Sequence, residues 1–524
     1  MKRTAAPIGL CLAAAALVGC GATGGGSGDG GDGAGGGAGG VVDGGTFTMA
    51  MNADPGNLDP QSSVSSALFS ISQLPYDRLL NIDFDSGEVR SGLASDWEAD
   101  GTTITLTLAE GITCSDGSEL TATDVVANLD HVGDPKNKSP FLGTFLPVGA
   151  KATADDEART VTVELAEPAP FALQGLANVP IICAAGLDDR ASLAERSVGT
   201  GPYELTEAAP GDSYTFTIRD GYAWGPDGAT TDTEGMPDTI VVKIVQNEST
   251  AANLLLSGQL NGAVVTGPDT KRLEAAGLTT YDTATLSGEQ FYHQAEGRAT
   301  SDPEVRLALT QALDLEELQR VLTSGEGAPA TTLAALDPVA CPGDSVSEAL
   351  PAQDVDAASA TLAEADLPEL TFLFDPSSGS GVAAAAELAV QQWKAAGVTV
   401  TPKPQSGSAI QQTVFGTGDW DVAWLPLNVN SPDQLVPFLS GPGVAEGGTN
   451  FAGIENADYE AGVEEASAMV GQEGCDTWLA AESNLVAEAD VVPFATTVGR
   501  TWQQGAEFEY PGQMVPTSIR MLAE

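Results

Sequence analysis

The chain has 524 residues, 42% of them hydrophobic, and a formal net charge of -52. Such acidity excludes nucleic acid as a partner, since phosphates would be repelled, and the length beyond residue 46 leaves room for two or three packed units. The charge itself reads as a solvated acidic shell, with a negative cleft that draws cationic solutes as the alternative.

The chain opens on the basic pair Lys2 and Arg3, followed by an apolar stretch from Pro7 to Val18 that is too short to span a bilayer. That order predicts an export signal over residues 1–19. "LVGC", ending at Cys20, resembles the lipobox of bacterial lipoproteins. The resemblance implies that Cys20 becomes the acylated first residue and holds the protein on the extracytoplasmic face of the cell membrane. Each buried methylene of such chains contributes about 0.8 kcal/mol. Residues 20–45 are mostly glycine after the cysteine and predict a flexible tether reaching roughly 25–30 Å. No later apolar run approaches membrane-spanning length.

Beyond the tether, alternation predicts half-buried strands at "TTITLTL", with Ile104, Leu106 and Leu108 on one face, at "TVTVEL", at "SYTFTIR" and at "DTIVVKIV". Between the first two, Thr121 and Asp124 resemble a capping box that opens a helix carrying Val125, Leu129 and Val132. Asp302 and Pro303 predict another helix start, and Asp314 restarts the chain as a second capped helix. "GVAAAAELAVQQWKAAG" feeding "VTVTPK" is the habit of an α/β domain.

Once Cys11 leaves with the signal, Cys114, Cys183, Cys341 and Cys475 remain in an oxidising compartment, and two disulfides are expected from three possible connectivities. No CxxC or CxH spacing supports a metal site among them, and the run at Asp83 lacks calcium-loop spacing. Neither metal nor cofactor is expected. An exported hydrolase is disfavoured, because no Gly-x-Ser-x-Gly occurs and the only histidines, His131 and His293, lie near no plausible nucleophile.

Several segments, in order, resemble the peptide and nickel class of extracellular solute-binding proteins that serve ABC importers, family 5. They are "NADPGNLDPQSS", "PYDRLLNID", "LASDWEADGTTITLTL" with the following "DG...T..DV", "VGTGPYEL", "DGYAW", "SDPEVRLALTQALD" and "GDWDVAWLPLNVNSPD". The resemblance covers nearly all of residues 46–498. It implies an α/β, two-lobed type II periplasmic-binding-protein fold of the Venus-flytrap kind, with mixed sheets. Lobe I would cover 46–285 with an inserted subdomain at about 76–195, lobe II 286–497, and residues 498–524 would return to lobe I. Keeping each disulfide within one such lobe favours Cys114 with Cys183 and Cys341 with Cys475. Gly199 and Gly201 are expected to supply backbone angles that other residues resist, and Tyr203, Trp224, Arg306 and Asp314 to pack and cap.

The function implied is capture of a solute between closing lobes and delivery, as a monomer, to a membrane permease, with no chemistry on the solute. The same fold serving as a sensor or surface adhesin is the alternative. Peptide-binding relatives use an aspartate in the loop after the tryptophan strand to hold the α-ammonium. Counting back from Pro432, that position is Asn428, with Asn430 nearby, so the solute is a peptide held differently, an oligosaccharide or a similar polar molecule. Trp424, Tyr292, His293, Gln294, Gln61, Ser62 and Asn450 complete the expected ligand contacts.

Overall fold

The computed structural model describes residues 40–523 apart from Val64, Asp85, Gly267, Pro268, Ser377, Ser380 and Ser406. Cys20, the apolar leader and most of the glycine tract lie outside the described residues.

Side-chain alternation fixes the first sheet. Ile104, Leu106 and Leu108 are buried along the strand Thr103–Leu108, while the threonines between them are half-buried. This strand pairs antiparallel with Ala94–Ala99 and Thr160–Glu164, and Lys151–Asp155 completes four strands. The helix Ala122–Gly133 lays Val125, Leu129 and Val132 on the same core. Its start is the reciprocal cap read from sequence: Asp124 N donates to Thr121 Oγ1 at 3.1 Å and Thr121 N to the Asp124 carboxylate at 2.9 Å. Residues between Tyr76 and Val198 thus share a core of their own, crossed by the Cys114–Cys183 disulfide.

The main sheet runs through ten strands in line, with an eleventh, Gly327–Ala328, pairing beside them. In spatial order they are Val400–Pro404, Leu370–Phe374, Val422–Trp424, Thr279–Tyr292, Val491–Gln503, Gly262–Val264, Thr46–Met51, Thr239–Ile244, Ser213–Ile218 and Tyr203–Ala209. Two long antiparallel strands, Thr279–Tyr292 and Val491–Gln503, occupy the middle. One end of the pair joins, through Trp502, a core with Ala50, Leu255 and Leu273, and beside it Phe47, Tyr203, Tyr214 and Phe508 build another. The other end joins two cores built around Trp393, Trp424 and Phe372, and around Trp420, Phe451 and Leu485. Register shifts at Leu286, Gly288 and Glu289 bend the ladder between these ends.

In the second half, Pro303 begins a helix capped by Asp302, and Asp314 caps the next by accepting from Glu317 N at 2.8 Å. The helix Val382–Ala395 connects the parallel strands Leu370–Phe374 and Val400–Pro404 and buries Trp393. Cys341 and Cys475 form the second disulfide, so both pairings agree with the sequence reading.

The two glycines of the "GTGPY" turn need correction. Neither has positive φ. Their requirement is space: a Cβ on Gly199 would lie 2.2 Å from Pro75 O, and one on Gly201 2.5 Å from Leu74 O. Close approach of two backbones selects glycine here, not a left-handed conformation.

Candidate functional site

The two halves face each other across a seam that holds two cavities. The larger, of about 500 Å³, is walled by Tyr76, Asp77, Arg78, Asp227, Tyr281 and Glu509 on the first half, with Pro338 from the second. The smaller, of about 190 Å³, sets Gln174 and Asn178 opposite Asn430, Ser431 and Asp433. Asn178 lines both, so the two spaces adjoin.

The halves also touch directly. Phe171 packs among Ala340, Cys341, Ala466 and Trp478, with its ring 6.1 Å from the indole. Gly471 N donates to Pro170 O at 2.8 Å, and Gln472 Nε2 reaches Ser86 O at 2.5 Å. A Cβ on Gly87 would lie 2.2 Å from Val339 O. These contacts join the two halves directly.

Fixed charges line the larger cavity. Arg78 is buried, and its guanidinium donates to Tyr76 O, Ser72 Oγ and Gln73 Oε1. Burial pulls it down to about 10, so it stays cationic at neutral pH. The neighbouring Asp77 carboxyl is pushed up by burial, against donors from Tyr222 Oη at 2.9 Å and Trp224 Nε1 at 3.0 Å. In all, four carboxylates face two guanidiniums on this wall, a balance that disfavours anionic solutes.

On the second half the loop after Trp424 is pinned to the long strand. Glu289 Oε2 accepts from Leu427 N at 2.7 Å, Asn428 Oδ1 accepts from Leu286 N at 3.0 Å, and Asn430 O accepts from Ala340 N at 2.8 Å. Asn428 is exposed at the end of this support. Behind it, burial drives the Glu289 carboxyl well up. Glu482, held by Ser345 Oγ and Leu333 N, is pushed up by the same burial to about 7.

A carboxyl raised from 4.5 to about 7 favours the folded state fully below pH 4.5, and that contribution is lost as pH climbs through 7. The stability lost to Glu482 over that window is about 3 kcal/mol. Glu482→Gln is therefore expected to flatten the fall in urea midpoint between pH 5 and about pH 8. An unchanged slope would assign the loss to other groups.

The expected ligand contacts divide sharply. Asn430 lines the smaller cavity, whereas Asn428 lines neither and its Oδ1 is taken by Leu286 N. Trp424 does not face the seam: the indole is 4% exposed, donates Nε1 to Gln290 Oε1 at 3.0 Å and stacks edge-on to Phe372. Tyr292 is fully buried, its hydroxyl held by Thr310 and Gln290. His293 and Gln294 follow it at the far end of the long strand, roughly 20 Å from Leu286 at strand rise. There His293 stacks on Trp420 at 4.8 Å, and Gln294 donates to Asp490.

Gln61 is also corrected to scaffold. Its Nε2 donates to Asn128 Oδ1 and Pro180 O, and its Oε1 accepts from Arg190, leaving no free group. Ser62 is exposed, bonds Asp59 O and lines neither cavity. Asn450 is buried and closes its own loop through Gly441 O and Ile454. Trp224, Tyr203, Arg306 and Asp314 act as packing and capping groups, as expected: Tyr203 Oη donates to Pro237 O, and Arg306 pairs with Asp490.

Gln174, Asn178, Arg78, Asp227, Glu509 and Asp433 were not among the expected contacts. They come from segments hundreds of residues apart, and no local spacing announces their meeting. Among the described residues, no helix is long and apolar enough to cross a membrane, and no group of three or more His, Cys, Asp or Glu side chains is arranged to hold a metal ion.

A mixed sheet divided over separate cores, crossed twice by the chain and enclosing a seam cavity, defines the class of type II periplasmic binding proteins. The ABC transporter substrate binding protein CtaP from Listeria monocytogenes matches 92% of this chain and 100% of its own, at a TM-score of 0.76 and 20% identity. A substrate binding protein from Microbacterium hydrocarbonoxydans, complexed with 4-hydroxybenzoate hydrazide, is 27% identical at a TM-score of 0.65, covering 91% of this chain and 99% of that one.

The model of the bacterial extracellular solute-binding proteins, family 5 (Middle), matches residues 88–444, and the chain belongs to that family, whose members are not enzymes. Protein XP55 of Streptomyces lividans is 30% identical over 262 residues, 49% of this chain and 46% of that protein. The glutathione-binding protein GsiB of Escherichia coli O157:H7 is 28% identical over 292 residues, 54% and 55% of the two chains. The chain spans about half the length of the curated relatives it matches.

Proposed function

We propose that this protein is the extracellular solute-binding component of an ABC importer, held at the membrane through Cys20. In this reading it captures a peptide or other polar organic solute between two closing lobes and delivers it to a permease. One observation carries the reading: the 190 Å³ cavity sets Gln174 and Asn178 of one half opposite Asn430, Ser431 and Asp433 of the other, and the halves are linked in the main sheet by two long strands. A solute in that cavity touches both halves at once, and so favours the closed arrangement by its differential contacts. Glutathione binding by a relative and an aromatic hydrazide in a solved neighbour are consistent with small polar organic guests. Asn430, a neutral amide on the wall of the smaller cavity, suits hydroxyl and amide groups of such a guest.

Mass spectrometry of the copurifying molecule, followed by solution scattering with and without it, tests this directly. A smaller radius of gyration with the bound molecule, returned intact, is expected; an identical shape in both states, or a chemically altered molecule, refutes capture by closure. Asn430→Ala should weaken binding with little change in melting temperature, and Cys20→Ser should move the protein from the membrane to the soluble fraction. Persistence in the membrane fraction would rule out the anchor.

A further inference from the structure

Two buried carboxyls stand behind the loops of the second half that face the seam, and each leaves one oxygen without a partner. Glu289 is 0% exposed on the long strand Thr279–Tyr292, and Glu482 is 1% exposed on the helix Cys475–Ala487. Oε1 of each is buried and has no hydrogen-bond partner among the described residues. Glu482 acts on Glu289 through its charge, and no Lys, Arg or His side chain acts on either carboxyl among the described residues. The other titratable groups facing the pair are Tyr459, from the helix Ala457–Ser467, and beyond it Asp433. None of these supplies a positive charge. An ionised carboxylate in this setting is a buried charge with one oxygen unsolvated, a cost that the neutral acid avoids.

The remaining oxygens hold the loops themselves. Glu289 Oε2 accepts from Leu427 N at 2.7 Å, and Glu289 O accepts from Leu425 N at 3.0 Å. Glu482 Oε2 accepts from Ser345 Oγ at 2.6 Å and from Leu333 N at 3.3 Å. On the same helix, Ser483 Oγ donates to Ser345 O at 2.8 Å. The two loops are also laced to each other, because Leu336 N donates to Val429 O at 3.0 Å and Ala340 N to Asn430 O at 2.8 Å. Asn430 lines the smaller cavity and Pro338 the larger. A shift of the loop at Leu333 and Ser345 is therefore passed through main-chain bonds to the walls of both cavities.

We propose that Glu289 and Glu482 are positioning residues for the solute site, a brace that holds the loops 331–345 and 425–430 while both are neutral acids and loosens them when Glu482 ionises. This rests on the reading of the seam as the solute site, and it adds control of that site by pH. Burial pushes Glu482 up to about 7 and Glu289 well above its ordinary range, so Glu482 loses its proton first. The new charge is relieved by water at Oε1, which enters as the loop anchored at Leu333 and Ser345 shifts. The cavity wall is thus firm at acidic pH and loosens as pH rises through 7.

Hydrogen exchange of the intact protein without solute, read by mass spectrometry and corrected for the intrinsic pH dependence of exchange, tests the brace. With Glu482 returned to its ordinary 4.5 in the opened loop, protection over segment 331–345 is expected to fall about tenfold between about pH 6 and about pH 8.5. The strand Thr103–Leu108, in a separate core, should keep its protection. Glu482→Gln cannot ionise and should hold the loop's protection constant over that range. Glu289→Ala should lower protection over 425–430 at both pH values, and Glu289→Gln, which keeps an acceptor for Leu427 N, should restore it. Infrared spectra of the same samples give a signature that packing alone does not: the carbonyl stretch of a protonated carboxyl, lost across that range in the parent and missing from Glu482→Gln.

A flat exchange profile in the parent overturns the brace, and this arm stands by itself if Glu482→Gln folds poorly. A fall that survives in Glu482→Gln, or unchanged protection over 425–430 in Glu289→Ala, also overturns it. No solute enters these measurements, so failure of the brace is distinguishable from failure of capture by closure, which scattering judges.

Discussion

Replacing Arg306 by alanine is expected to lower the unfolding free energy by about 3–5 kcal/mol at neutral pH, measured by urea denaturation. Arg306 is 4% exposed and Asp490 2%, with Nη2 donating to Asp490 Oδ1 at 2.7 Å. The guanidinium also ties the turn before its own helix, donating Nη1 to Ser301 O at 3.0 Å and to Thr300 O at 3.3 Å. Without it, Asp490 keeps only the neutral donors Gln294 Nε2 and Asn456 Nδ2.

Neutral amides do not balance a buried charge, so the variant's carboxyl is driven higher than burial already places it. The loss should therefore shrink as pH falls toward the raised value and the carboxyl protonates. Arg306→Met with Asp490→Leu removes both charges and is expected to recover most of the stability. A single variant within about 1 kcal/mol of the parent would show that the pair is not the buried ion pair described.

Serine at both Cys341 and Cys475 is expected to cost up to about 5 kcal/mol on the chain-entropy account, because the bridge closes 134 residues. The bridge between Cys114 and Cys183 closes 69 and should cost somewhat less. The first bridge has a second consequence. Cys341 shares a buried cluster with Phe171 and Trp478, which join the two halves, so its loss should also weaken solute affinity. Unfolding midpoints of the two double-serine variants provide the comparison, with solute titration on each. Equal affinity for solute in the parent and the Cys341/Cys475 variant would detach the bridge from closure, and a larger stability loss at Cys114/Cys183 would reject the loop-length ordering.

Much of the scaffold is legible because its causes are local. The face shared by Ile104, Leu106 and Leu108 follows from the two-residue period of a strand, and the start at Thr121 follows from which side chains can satisfy free N–H groups. Trp424 shows where locality ends. It lies on a real strand near the seam loop, as the sequence reading supposed, but which face of Val422–Trp424 meets the cleft depends on the helix and sheet stacked behind it. His293 fails for a related reason: nearness in sequence to the crossing strand places it at one end of that strand, and the cleft sits at the other.

The sequence alone determined the strand and helix types, the caps and membership of a clamp-like family, since each depends on residue spacing or on ordered motifs within the chain; the structure fixed which of three cysteine pairings forms. Tertiary structure alone decided what lines the cavities. Asn178 and Asn430 are separated by more than 250 residues, and they face one cavity only because the fold brings distant loops together.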